Sequence, residues 1–137
     1  MLIVTAFLIL FRSSMAYACS CVFPNFEKNL SRSDFVFMAT VIPISEGDWN
    51  LEIQRVWKGS TLRKGKLLDE FRGSNCAIGD FSKPLVVNVR YIIFARKSKN
   101  VNVFYTDACG GIAEADDKLL LKLGKGRPPR RDTSPTR

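Results

Sequence analysis

The chain has 137 residues, 21 Lys and Arg against 13 Asp and Glu, a formal net charge of +8, and no histidine. That length supports one small domain and not two. Without histidine no Ser-His or Cys-His pair can form; the carboxylates fall in no catalytic spacing and there is no phosphate-binding glycine loop, so no catalytic residue is expected and the chain does not read as an enzyme.

Residues 1–18 read as a signal peptide. The apolar run 2–11 is too short to span a bilayer, which takes about 20 residues, so no stable membrane span is expected. The run leads to Ala16-Tyr17-Ala18, whose small residues at −3 and −1 form an A-x-A cleavage site. Cutting there makes Cys19 the first residue of an exported, secreted or periplasmic protein. A second reading takes Cys19 as the lipid-bearing cysteine of a lipoprotein, although Ala16 and Tyr17 stand where that pattern wants Leu and a small residue.

The mature chain starts Cys19-Ser20-Cys21, with Cys76 and Cys109 far along it. Four cysteines in a short exported chain imply two disulfides, with three possible pairings. A bridge between Cys19 and Cys21 would be strained; the other two pairings both close long loops. A four-cysteine zinc site is disfavoured, because one C-x-C and two isolated cysteines do not form a pair of knuckles. No cofactor is expected.

Residues 22–33 read as an extended run and then a short helix. Pro24 suits the helix's first turn, and Phe23, Phe26 and Leu30 share one face. Asn29-Leu30-Ser31 matches the glycosylation pattern but reads as chance, since Leu30 belongs to the apolar face. Residues 34–44 form the strongest strand. Phe35, Phe37, Ala39 and Val41 lie on one side and Val36, Met38, Thr40 and Ile42 on the other, as in a strand curving inside a closed barrel.

Glu46-Gly47-Asp48 is a turn. A second strand covers 50–57, with Leu51, Ile53 and Val56 inward, and Lys58-Gly59-Ser60 ends it. A third covers 66–71, before the loop Arg72-Gly73-Ser74-Asn75. The fourth and fifth occupy 86–95 and 101–106. Residues 112–123 read as a helix with Ile112, Ala115, Leu119 and Leu123 toward the sheet, acidic residues early, Lys122 late and Gly124 as its stop.

The pattern predicts a mainly β domain over 19–124: a five-stranded closed barrel of the OB type, with a short N-terminal helix and a C-terminal helix. Residues 125–137 concentrate Lys125, Arg127, Arg130, Arg131 and Arg137 against Asp132. They read as a solvated, basic, disordered tail. The sharper alternative is weak electrostatic contact with acidic polymers or membrane surfaces, but nothing in their pattern arranges the charges on a structured face, so no function is rested on them. Ten phenylalanines invite a base-stacking reading. Most of them sit at apolar strand positions, however, so no nucleic acid is expected as a partner.

Several pieces together carry a resemblance: Cys19-Ser20-Cys21-Val22 at the mature terminus, Pro24, and Ser33-Asp34-Phe35-Val36 opening the first strand. Further along come Val56-Trp57-Lys58-Gly59, Gly73-Ser74-Asn75-Cys76, and residues 91–95 before Cys109. Over nearly all of 19–110 the chain resembles the N-terminal, netrin-like domain of the tissue inhibitors of metalloproteinases, and more closely their short bacterial relatives. The resemblance implies an OB-type barrel with Cys19 bonded to Cys76 and Cys21 to Cys109. It implies a monomeric, secreted inhibitor of zinc metalloendopeptidases.

In that mechanism the amine and carbonyl of Cys19 chelate the zinc of the partner protease, Ser20 enters the pocket beside it, and Cys21 and Val22 follow the substrate groove. Ser31 stands where animal members have a third cysteine, Phe23 replaces a proline common beside the wedge, and a helix and tail stand in place of the second domain. The alternative is an exported, non-inhibitory OB-fold binding module in which C-x-C is only a clamp.

Overall fold

The computed structural model describes residues 24–42, 49–69, 85–107 and 109–131. The signal peptide and the mature terminus lie outside these residues. The first helix, α1 (Phe26–Arg32), opens on Asn25, whose side chain accepts a hydrogen bond from the Lys28 amide at 2.9 Å, the usual way to satisfy a free N-terminal donor. Pro24 therefore precedes the cap instead of occupying the first turn, and the helix starts two residues beyond it. Phe26 and Leu30 pack on the same apolar cluster, as their spacing predicts; Phe23 lies outside the described residues.

β1 (Phe35–Ile42) is the axis of the fold, pairing antiparallel with β2 (Trp49–Lys58) on one edge and β4 (Arg90–Lys97) on the other. β2 continues antiparallel into β3 (Lys64–Asp69), which pairs parallel with β5 (Val103–Thr106), and β5 returns antiparallel to β4. The order β1-β2-β3-β5-β4, closed by the β1–β4 pairing, makes a five-stranded closed barrel of the OB type.

Alternation along the strands divides the apolar residues between two cores. Phe37, Ala39 and Val41 of β1 join Leu51, Ile53, Val56, Ile93 and Phe104 inside the barrel. Val36 and Met38, on the opposite side of β1, join Ile92 and Phe94 beneath both helices. Both faces of β1 are apolar because both are covered. Each fully buried side chain of this size contributes about 1.5–3 kcal/mol through removal from water. The inward sequence Leu51, Ile53, Val56 breaks strict alternation, and the register with β1 shifts between Met38 and Ala39. A bulge there re-aims Val56 into the barrel.

Several boundaries differ from expectation. β3 begins at Lys64 and not at 66. Residues 112–114 are not helical: Ile112–Glu114 form a sixth strand, β6, antiparallel to Tyr91–Ile93 of β4. The helix, α2 (Asp117–Leu123), starts only after Asp116, whose carboxylate caps the Leu119 amide at 2.7 Å, and it stops at Gly124 as expected. β4 begins at Arg90 and not at 86, because Val86 and Val87 are exposed and Asn88 turns with φ 67°. β5 begins at Val103, because Asn102 is also left-handed, with φ 57°.

The expectation of a disordered tail is corrected over residues 125–131. Val56 and Arg127 exchange backbone hydrogen bonds of 2.8 and 2.9 Å, and the Arg130 amide donates to Thr61 at 2.8 Å. The Trp57 indole also donates to Gly124 at 2.9 Å. β3 pairs with β2 only over Trp49–Glu52, which leaves the later half of that edge of β2 for this segment. Among the described residues no helix is long and apolar enough to cross a membrane.

Candidate functional site

The expected contact residues Cys19, Ser20, Cys21 and Val22, and Cys76, lie outside the described residues. What the structure describes is the helix that follows Pro24 and the loop that carries Cys109. Cys109, the one cysteine among the described residues, is disulfide-bonded and partly buried. It sits in the short connection from β5 to β6, two strands that both run antiparallel to β4 and so keep one direction along it.

That connection is held from three directions. The Asp107 carboxylate accepts the Cys109 amide at 2.8 Å, forming a local turn. Phe94 of β4 donates its amide to the Gly111 carbonyl at 2.7 Å. A Cβ at Gly111 would stand 2.2 Å from Thr106 Oγ1 and 2.7 Å from the Asp107 carbonyl, so only glycine lets the backbone pass this closely.

The third hold comes from α1. Asn29, only 6% exposed, donates its side-chain amide to the Gly110 carbonyl at 2.5 Å and accepts from Arg32 Nε at 3.2 Å. Arg32 also approaches Asp107, at 3.7 Å. Ser33, at the end of the helix, donates to the Asn29 carbonyl at 2.7 Å. The helix that follows Pro24 and the loop that carries Cys109 are thus one braced unit. A buried amide with its partners in place is costly to disturb.

The sequence pattern does not mark Asn29, Arg32 or Asp107 as a set. The one available signal is that Asn29 and Ser33 lie one turn apart on the buried side of a short helix. The Asn29-Leu30-Ser31 match points to that asparagine for an unrelated chemistry, glycosylation. The recess between α1 and β5, lined by Asn29, Arg32, Thr106 and Asp107, holds only about 80 Å³, well below the several hundred typical of a small-molecule site. It is a joint between elements. Among the described residues no cluster of metal-ligating side chains is present.

No protein-family model matches the chain, and no curated protein matches it.

Proposed function

We propose that the chain is an exported inhibitor of zinc metalloendopeptidases that acts through its mature N-terminus. The observation that carries the proposal is the braced pair of α1 and the disulfide-bonded Cys109 loop on an OB-type barrel. An inhibitory wedge needs a rigid base, because ordering a loose terminus on binding costs affinity. Cys21 stands three positions before Pro24, a reach of about 11 Å, so the proposed Cys21–Cys109 bond would tie the terminus to the braced unit. The proposed Cys19–Cys76 bond would hold the first residue.

The chemistry then belongs to Cys19. Its α-amine, with an ordinary pKa of about 8, loses its proton at modest cost. Amine and carbonyl together bind the zinc of the partner protease and displace the water that the metal activates. Ser20 fills the adjoining pocket, while Cys21 and Val22 lie along the cleft.

The test is to place one alanine before Cys19 and measure inhibition across a panel of zinc metalloproteases. The unextended protein inhibits at least one, and the extended protein loses that inhibition while its thermal unfolding is unchanged. Inhibition of none, or equal inhibition by both forms, overturns the proposal.

A further inference from the structure

Laid against β2 and the β2–β3 connection, residues 125–131 give fixed positions to charges that their sequence leaves unarranged. Arg127 is pinned by its backbone to Val56, and its guanidinium donates to the Gly59 carbonyl. Pro128 and Pro129 follow; neither has an amide hydrogen, and both have a fixed φ. Arg130 is pinned again at Thr61. The stem of Arg55 runs beside the strap: a Cβ on Gly126 would stand 2.8 Å from its Cγ.

A groove of about 540 Å³ opens where the strap meets the barrel, walled by Arg63 on one side and by Pro128, Pro129, Arg130 and Arg131 on the other, over Ile53. Arg55, Arg63, Arg127, Arg130 and Arg131 are all exposed. Among the described residues one carboxylate pairs with this set: Glu52, 3.8 Å from Arg63, with both side chains largely exposed at 48% and 72%. Such a pair contributes little and yields readily to a stronger anion.

Guanidinium groups bind phosphate and sulfate oxygens through paired N–H donors. Here they are strung along an extended strap, with about 10 Å between the backbones of Arg127 and Arg130, so one small anion cannot engage them all. We propose that this groove binds a linear polymer carrying phosphate or sulfate groups. Its walls offer no aromatic face for stacking bases; the nearby Trp57 packs on the outer core and donates its N–H to Gly124. The strap carries no apolar side chain, other than its two proline rings, to enter a bilayer. These points favour a flexible polyanion over nucleic acid or membrane.

The experiment measures binding of the purified full chain to fluorescent long-chain polyphosphate and to dextran sulfate, across a salt series. Arg63→Gln on the barrel and Arg130→Gln on the strap each weaken binding about threefold to fivefold and lower the slope of log affinity against log salt by about one. Lys28→Gln, an equal charge change on α1, leaves binding unaltered. The two polymers tell phosphate from sulfate preference, and either one binding in this pattern supports the proposal. It is overturned if neither polymer binds at physiological salt, or if Lys28→Gln weakens binding as much as Arg63→Gln. Tighter binding to duplex DNA or to anionic phospholipid vesicles than to both polymers also overturns it.

Discussion

Asn29 reaches across 81 residues of chain to donate its side-chain amide to Gly110, at 2.5 Å. The bond joins α1 to the loop of the disulfide-bonded Cys109, and Arg32 secures the amide's other end. Asn29→Asp keeps the shape, removes the donor and places a carboxylate oxygen against a carbonyl. It should cost about 1–3 kcal/mol, read as a lower denaturant midpoint. Under the proposed function it also weakens protease inhibition, because the wedge loses part of its base. An unchanged midpoint would show that the brace carries no weight.

Two glycines separate crowding from backbone strain. Gly59 and Gly124 have nearly the same φ, 77° and 76°. A Cβ at Gly59 would lie 2.3 Å from Phe35 Cδ1 and 2.8 Å from the Asp34 carbonyl, whereas at Gly124 nothing stands within 4 Å. Gly124→Ala should therefore cost only the conformational strain, about 1–2 kcal/mol. Gly59→Ala adds overpacking and should cost about 3–5 kcal/mol. Equal losses in chemical denaturation would mean that Phe35 moves aside freely.

The barrel is legible in the sequence because its signals are side-chain signals. Phe37, Ala39 and Val41 against Val36 and Met38 mark a strand apolar on both faces, and both faces prove to be covered. Ile53 and Val56 read as inward, though three apart, and the bulge in β2 is what allows it. The errors fall where backbone pairing decides. Ile112 and Ala115 keep a helical spacing with Leu119, yet Ile112–Glu114 is drawn onto β4 as a strand. Arg127 and Arg130 have exposed side chains, and they are anchored by main-chain groups and by the Arg127 guanidinium on Gly59, so no apolar periodicity could announce it. Asn88 and Asn102 take left-handed turns that trim two strands at their start.

The strap makes a prediction that a disordered tail does not. It satisfies the Val56 backbone on the part of the β2 edge that β3 leaves open; open edges pair with other chains. A chain ending at Lys125 loses the hydrogen bonds of Arg127 and Arg130 but lets water reach Thr61 Oγ1, which is buried without a partner among the described residues. The two effects oppose each other, and three lost backbone bonds, with the exposed Arg127 guanidinium bond to Gly59, outweigh one rehydrated hydroxyl, for a net loss of about 1–2 kcal/mol. Concentration-dependent self-association should appear in sedimentation. A shortened chain that is monomeric and equally stable would restore the picture of a loose tail.

Cys109 offers the sharpest chemical check on the proposed site. The sequence holds four cysteines, all of them at or beyond the proposed mature terminus. The proposed pairing requires that alkylation of the unreduced, unfolded protein adds nothing and that reduction opens four sites. Peptide mapping should then join Cys21 to Cys109 and Cys19 to Cys76. Cys109→Ser should cost about 2–5 kcal/mol and abolish inhibition, since Cys21 loses its tether. Stability alone cannot separate a clamp from a wedge, because both need the bond. The separation comes from the alanine-extended chain, which keeps both disulfides and full stability. If that chain still inhibits while Cys109→Ser does not, the disulfide supports some other contact surface and the amine of Cys19 has no part in it.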